Sequence, residues 1–272
     1  MADELSVISY GGGVQSTAML VLAAQGKIRV DAALFANVGD DSEDPRSLDY
    51  VHNVAMPYAE AHRIPLHELH KVKADGQRET IIGRITRPGS HSHTIPVRLS
   101  NGKPGGRSCT ADFKVGVTGK WLVEHGATAQ NPATIMLGIS VDEIHRANPK
   151  RAKAYEKLGY PLLDIGLNRA DCQRVIEDAG LPVPGKSACW MCPNRRIEQW
   201  AAMRANEPET WDRCVALEQH LIDGERDRGR PPVFLSNAGV PLPNAVPKGV
   251  QTLPIWAAGE ESGECDNGWC MT

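Results

Sequence analysis

Aromatic residues are scarce in this chain, which has three Phe and five Tyr among 272 residues. Proteins that bind single-stranded nucleic acid by base stacking need a platform of such side chains, so the composition weighs against that class. No apolar run approaches the roughly 18 residues of a membrane span, and no secretory signal opens the sequence. We therefore expect a soluble cytoplasmic protein that has no membrane partner.

The seven cysteines are an odd number in a chain without an export signal, and they favour thiol, metal or cluster chemistry over a disulfide framework. The net charge is only −3 but is unevenly distributed. Residues 31–60 carry seven acids and one base, whereas residues 71–120 carry ten Lys and Arg and three acids. The basic segment predicts a surface for a polyanion such as nucleic acid or a nucleotide, with a solvated basic loop as the alternative.

The stretch ELSVISYGGGVQSTAMLVL, residues 4–22, predicts a buried strand, a glycine turn and a helix that begins near Val14. Consecutive glycines let the backbone take positive φ and approach a ligand closely, and the free amides at a helix start attract anions. The hydroxyl of Ser16 lies in the first helical turn, where it can add a hydrogen bond to an oxyanion. We expect a phosphate or pyrophosphate site here; a turn required only for packing is the alternative.

Strands and helices alternate along the first two thirds of the chain. This pattern predicts a doubly wound parallel α/β sheet with helices on both faces and with binding loops along one edge. We assign residues 1–180 to a nucleotide-binding α/β domain and residues 181–272 to a helical, cysteine-bearing region with an extended tail. Strands are predicted over residues 5–9, 31–37, 64–69, 133–138 and 162–165, a loop over 77–106, and helices over 46–62, 113–125, 169–179, 197–206 and 210–223.

A Cys-x-x-Cys motif, Cys189 and Cys192, precedes Pro193. In a cytosolic chain such a motif is a redox pair, half of a zinc site or part of an iron–sulfur site. Cys172 and Cys214 fall inside predicted helices, and we expect both to be packed thiols. The remaining candidate ligands are Cys109, Cys265 and Cys270.

Two further patterns suggest other nucleotide sites. Residues 180–187, GLPVPGKS, match the phosphate-loop pattern, but Pro182 and Pro184 lack the amides that such a loop needs, and the segment follows a helix. We interpret it as a chance match. The glycine turn also imitates a dinucleotide-binding fingerprint, which would suit a dehydrogenase but leaves the cysteines unexplained.

The sequence SYGGGVQST resembles the pyrophosphate-loop signature S-G-G-x-D-S of the adenine nucleotide alpha hydrolase-like superfamily, particularly its PAPS reductase-like branch (PAPS is 3′-phosphoadenosine 5′-phosphosulfate). FANVGDDSEDPRSLDYV, LGISVDEIHRA and the stretch from YPLLDIG to ACWMCP resemble three more segments of that family, in the same order. The chain departs from the pattern where Gly11 replaces a Ser, Gln15 an Asp and Ser140 an Arg. The C-terminal Glu-Cys-Gly-x-His of assimilatory PAPS reductases is absent.

The resemblance implies binding of ATP or PAPS, with Mg²⁺ as a possible companion. It also implies a 4Fe-4S cluster, with zinc as the alternative, because Cys109 and the Cys-x-x-Cys pair are similar to the cluster site of iron–sulfur tRNA thiolation enzymes in this superfamily. The implied nucleotide-binding residues are Ser9, Gly11, Gly12, Gly13, Gln15, Ser16, Asn37, Gly138, Asp142 and Arg146. The implied metal ligands are Cys109, Cys189, Cys192 and Cys270, and the candidate catalytic, sulfur-carrying thiols are Cys265 and Cys270.

The activity implied by the resemblance is sulfur transfer, in which ATP adenylates an acceptor oxygen and a sulfur nucleophile then displaces AMP. The acceptor would be a nucleic acid held by the basic residues 71–120, and a protein would donate the sulfur or the electrons. The first alternative is a PAPS reductase that produces sulfite and adenosine 3′,5′-bisphosphate. The second is a non-catalytic protein with a zinc site that binds a nucleotide or nucleic acid.

Overall fold

The computed structural model describes residues 4–247, which form two compact units. The first unit contains residues 4–78 and 110–188, and the second contains residues 79–109 and 189–247. The chain therefore enters the second unit twice. The single domain boundary that we placed after residue 180 stays a prediction.

The first unit is built on a five-stranded sheet in the order β3-β2-β1-β4-β5, in which every pairing is parallel. β2 and β3 lie to one side of β1, and β4 and β5 lie to its other side. The predicted doubly wound α/β sheet is confirmed. Its strands are β1 (Ser6–Tyr10), β2 (Ala32–Asn37), β3 (Leu66–His70), β4 (Ala133–Met136) and β5 (Glu156–Gly159).

Helices cover both faces of this sheet. Successive side chains of a strand point to opposite faces, and each face carries an apolar cluster. Ile8 and Phe35 belong to one apolar cluster, and Val7 and Leu34 belong to the other, together with Leu122. The helices of the unit are α1 (Val14–Ala24), α2 (Pro45–Tyr50), α3 (Met56–Ala61), α5 (Gly116–Glu124), α6 (Pro161–Asp164) and α7 (Arg169–Asp178), with π-helical segments at Val51–Ala55 and Thr110–Val115.

The predicted strand over residues 162–165 is wrong, since the structure has the short helix α6 there and the strand β5 just before it. Pro161 is the first residue of α6, a position that suits proline because its missing amide has no helical partner. The strand itself, EKLG, is polar at Glu156 and Lys157 and lies at the edge of the sheet. An edge strand of this kind gives no apolar run to recognise.

The second unit is mainly helical. Its helices are α4 (Ile81–Thr86), α8 (Ile197–Asn206), α9 (Pro208–Asp227) and α10 (Leu242–Ala245). The predicted loop over residues 77–106 therefore contains one helix, and Arg98 makes isolated antiparallel bridges to Pro104 and Phe234. Among residues 4–247, none of the helices combines the length and apolar content that crossing a bilayer requires.

Candidate functional site

The glycine turn of residues 11–13, called the glycine loop from here on, joins β1 to α1. Gly12 has φ of +74°, a left-handed conformation that favours glycine. Gly13 is the N-cap of α1, and its amide donates to Ser16 Oγ (3.2 Å) while the Ser16 hydroxyl donates to the Gly13 carbonyl (3.0 Å). The first amides of α1 have no carbonyl partner inside the helix, so they are available to an anion.

Gly138 lies beyond the end of β4 and against the start of α1. A Cβ at this position would lie 3.1 Å from both Gln15 Cβ and Ser16 N. The absence of a side chain therefore lets the loop after β4 approach the first turn of α1 closely. This contact is located at the point where the winding of the sheet reverses, which is where open α/β sheets bind ligands.

A polar network surrounds Gln15, the residue that stands where the resembled family has Asp. Its amide group donates to Ser140 Oγ (3.4 Å) and Glu143 Oε2 (3.5 Å), and its oxygen accepts from Arg169 Nη1 (3.4 Å). Arg146, which is 9% exposed, forms an ion pair of 2.7 Å with Glu143. Two guanidinium groups thus lie in one network with the first turn of α1.

Asp142 belongs to the same segment but has a different partner. Its carboxylate accepts the backbone amide of Arg169 (3.1 Å), the first residue of α7. The structure therefore brings the predicted residues Gln15, Asp142 and Arg146 into one region. Their roles toward a nucleotide stay predictions.

Asn37 ends β2, next to the glycine loop in the sheet order. Its amide nitrogen donates to Asp40 (2.7 Å) and to Glu68 (2.6 Å), and its oxygen accepts from the Gly39 amide (2.8 Å). Both side-chain hydrogens are used inside the protein, so Asn37 shapes the acidic loop that follows β2. Ser9, another predicted ligand, is buried within β1.

A buried carboxylate follows β2, and no sequence pattern indicates its burial. Glu43 is 3% exposed, and burial raises its pKa, while Lys114 and the Val38 backbone act in the opposite direction. It was missed because it lies in an acidic run, GDDSED, which resembles a solvated loop. Glu143 and Arg169 were missed as well, although both lie in segments that resemble the superfamily.

Hydroxyl groups connect β1 to α1 and α2 next to the glycine loop. Thr17 is fully buried, and its Oγ1 lies 3.1 Å from Tyr10 Oη. Thr17 also hydrogen bonds Tyr50, whose pKa is raised to about 12 by burial. Burial likewise raises the pKa of Tyr10, so both phenols are neutral and serve as fixed hydrogen-bonding groups.

The Cys-x-x-Cys motif forms a tight turn in the second unit, in which the Cys192 amide donates to the Cys189 carbonyl (3.2 Å). The turn is anchored on α9, because the Cys214 thiol contacts the Trp190 carbonyl (3.7 Å) and the Arg213 guanidinium stacks 4.3 Å from the Trp190 ring centre. Burial raises the pKa of Cys214 and of Cys172 to about 12, so both are packed thiols, as predicted.

The predicted metal ligands do not form a complete set among the described residues. Cys109 belongs to the same unit as the Cys-x-x-Cys turn, with its amide bound to the Thr94 carbonyl (3.0 Å). Between residues 4 and 247, however, no three His, Cys, Asp or Glu side chains converge in a way that would hold a metal ion. Cys265 and Cys270 lie outside the described residues.

Part of the basic segment, residues 71–120, is occupied with internal contacts. Arg98 is 6% exposed and donates to the Pro193 carbonyl (3.3 Å) and to Asn194 (3.2 Å). Arg84 is paired with Glu79 at 2.6 Å. These two charges stabilise the second unit, which leaves fewer of the ten bases for a polyanion.

No protein-family model matches the sequence, and no curated protein matches it either. Among solved structures, the chain is similar to the U34-tRNA thiolase NcsA from Methanococcus maripaludis with its 4Fe-4S cluster. The TM-score is 0.42 and the sequence identity is 13%, over 80% of this chain and 71% of that one. That name describes the Methanococcus maripaludis protein; what is established for this chain is the α/β architecture given above.

Proposed function

We propose that this chain is an adenine-nucleotide-dependent sulfur-transfer enzyme. The observation that carries the proposal is the glycine loop, which opens an 11-residue helix at the point where the sheet reverses its winding. Phosphates bind at such helix starts because the amides and the helix dipole both favour negative charge. Arg146 and Arg169 supply further positive charge in the same network.

The proposed contacts follow this arrangement. Residues 11–16 bind the phosphates, together with Mg²⁺ where the nucleotide brings it. Asn37 and Gly138 border the adenosine, and Gly138 leaves room because it has no side chain. Arg146 is the anion contact, since a guanidinium presents several donors to phosphate oxygens, and Asp142 is a second polar partner.

The proposed chemistry has two displacements. A carbonyl-type oxygen of the acceptor attacks the α-phosphorus of ATP, so that a new O–P bond forms while the bond to pyrophosphate breaks. A sulfur nucleophile then attacks the activated carbon, and AMP leaves with the original oxygen. We place a tRNA or DNA acceptor at the exposed bases of residues 71–120, and assign sulfur delivery to a donor protein or to Cys265 and Cys270.

The two displacements do not require an iron–sulfur cluster. The thiolates of Cys109, Cys189 and Cys192 are suitable donors for iron or zinc, but the described residues do not bring three of them together. Iron, acid-labile sulfide and zinc should be measured on protein purified without oxygen, beside the Cys189→Ser variant. Iron and sulfide that are lost in the variant would support a cluster. Zinc would support a structural site, and the absence of both iron and zinc would support a redox pair.

The decisive experiment measures pyrophosphate release from ATP with tRNA or DNA as the acceptor. Ser16→Ala removes a hydroxyl from the first turn of α1, beside the glycine loop, and we expect it to lower pyrophosphate release about tenfold, the effect of roughly 1.4 kcal/mol. Thr80→Ala is the matched control, because Thr80 caps α4 in the second unit with a similar hydrogen bond to Gly83 (2.9 Å). It should leave release unchanged.

Absence of pyrophosphate release with every nucleic acid offered would refute the sulfur-transfer proposal. Production of sulfite from PAPS in the presence of thioredoxin would identify a PAPS reductase instead. Nucleotide binding without either turnover would indicate the non-catalytic alternative. If the Ser16→Ala variant binds ATP with the same affinity as the unmodified chain, that result would contradict the phosphate site in all three cases.

A further inference from the structure

A segment without helix or strand, residues 181–188, runs along the glycine loop within the first unit, and we call it the strap. It includes the GKS sequence that we set aside as a chance match. Near its start, the Tyr50 hydroxyl donates to the Pro182 carbonyl (2.7 Å). At its end, the Asp44 amide donates to the Ala188 carbonyl (3.3 Å). Two bonds from the region of α2 therefore fix both ends of the strap.

Ser187 is the strap residue that contacts the glycine loop. Its hydroxyl donates a hydrogen bond to the Gly11 carbonyl. Its Oγ lies 3.8 Å from the position that a Cβ on Gly12 would take, and its Cβ lies 3.5 Å from that position on Gly13. One short side chain thus bonds Gly11 and lies where side chains on Gly12 and Gly13 would meet it.

The bond to the Gly11 carbonyl sets the direction of the next amide. In a planar trans peptide the carbonyl and the amide hydrogen point in opposite directions, so the Gly12 amide points away from Ser187. A glycine-only turn has little steric preference for this orientation, since glycine takes both signs of φ. Rotation of the peptide would present a carbonyl oxygen where a phosphate needs a donor.

We propose that Ser187 is a positioning residue that fixes the Gly11–Gly12 peptide with its amide available to nucleotide phosphates. This inference rests on the proposed function, in which the glycine loop binds those phosphates. The group recognised is the pyrophosphate portion, shared by ATP and inorganic pyrophosphate. Adenosine, which lacks it, gains nothing from the orientation of this peptide.

The test is isothermal titration calorimetry on the full chain with ATP, inorganic pyrophosphate and adenosine. We expect Ser187→Ala to weaken the binding of ATP and of pyrophosphate by the same factor, about tenfold, and to leave the binding of adenosine unchanged. Ser187→Thr keeps the hydroxyl and should restore affinity to within about twofold of the unmodified chain. Ser90→Ala is the matched control, because Ser90 also donates to a carbonyl, that of Arg84 (2.7 Å), in the second unit.

Each result has a definite meaning. Unchanged affinity of Ser187→Ala for ATP and pyrophosphate would overturn the inference while the proposed function stands. An equal weakening of adenosine binding would also overturn the inference, because a general structural defect would then explain the lower affinities. If the unmodified chain binds neither phosphate ligand, the proposed function fails first and the inference fails with it.

Hydrogen exchange on the unmodified chain keeps the inference testable if Ser187→Ala does not fold. A ligand that binds more tightly when the Ser187 bond is formed suppresses opening of the strap, since its binding favours the state in which that bond exists. ATP should therefore slow exchange in residues 181–188 as well as in residues 10–17. Protection confined to residues 10–17 would overturn the inference.

Discussion

Gly138 shows how little space separates the loop after β4 from the first turn of α1 in the candidate site. Replacing it with Ala would insert a methyl group 3.1 Å from Gln15 Cβ and from the backbone nitrogen of Ser16. We expect Gly138→Ala to lower the free energy of unfolding by about 1–3 kcal/mol, the usual effect of overpacking, and to weaken ATP binding. Gly106→Ala is the control, since a Cβ there meets nothing within 4 Å; equal melting temperatures for the two variants would contradict the prediction.

Glu218 gives the second unit a pH dependence. It is 1% exposed, and its carboxylate accepts the backbone amides of Leu235 (2.8 Å) and Leu242 (2.6 Å). Burial raises its pKa, although the two amides oppose the change. A carboxyl whose folded pKa is raised adds stability below the ordinary Glu pKa of about 4.3, and that stability is lost as the pH rises through the folded value.

Urea unfolding of the unmodified chain and of Glu218→Gln at several pH values measures this effect. The variant should be less stable by about 1–3 kcal/mol, because its amide NH₂ group faces a backbone donor. The stability difference between the two proteins should be larger at pH 5 than at pH 8. A difference that grows with pH would show that the folded pKa is not raised.

At the scale of elements, α7 depends on its first turn. The Asn168 side chain accepts the Asp171 amide (2.9 Å), and the Asp171 carboxylate accepts the Asn168 amide (3.0 Å). We expect Asn168→Ala to destabilise the first unit by about 0.5–2 kcal/mol, measured by urea unfolding. Asn53→Ala is the control, as Asn53 is exposed and its side chain donates to that of Asp49 (2.7 Å); an equal destabilisation in both variants would contradict the importance of the cap.

The elements that sequence reasoning identified correctly carry local signals. The β1–loop–α1 unit combines an apolar run, three glycines and a helix start within 20 residues, and each part indicates the next. By contrast, β5 is a polar strand at the sheet edge, recognisable only from its pairing with β4. Elements whose formation depends on a distant partner leave no such local signal.

The candidate site divides in the same way. Gly138 was predicted because its motif resembles a family segment, while the contact of Ser187 with Gly11 joins residues 176 positions apart. Sequence spacing does not reveal such a contact. The two prolines that exclude GLPVPGKS as a phosphate loop are compatible with its place beside the glycine loop, because the strap supplies a side chain there rather than amides.

For the whole molecule, the exposed bases of residues 71–120 should determine how salt affects nucleic-acid binding. Arg87 and Lys103 are exposed, unlike the internally bonded Arg98. Replacing both with Gln should weaken tRNA binding and reduce the slope of log affinity against log salt by about 0.7–0.9 for each phosphate that the protein no longer neutralises. Fluorescence anisotropy at several KCl concentrations measures the slope.

The control for that measurement lies outside the basic segment. Arg226 is exposed on α9 and paired with Asp223 (2.7 Å), so Arg226→Gln removes one positive charge at a different place. It should leave the slope unchanged. A slope that responds to Arg226 but not to Arg87 and Lys103 would place the nucleic acid elsewhere on the molecule.

The position of β1 in the sheet also determines when the site can form during synthesis. Val7 pairs with Ala32, which follows soon in the chain, but Ser6 pairs with Thr134 on the other side. A ribosome that adds 5–20 residues per second needs roughly 6–26 s to make the intervening stretch. Until then one edge of β1 has no strand partner, and such an edge invites pairing with other chains. The glycine loop is therefore made well before the strand that completes the pairing of β1, and a nascent chain in this interval would benefit from a chaperone that covers the β1 edge.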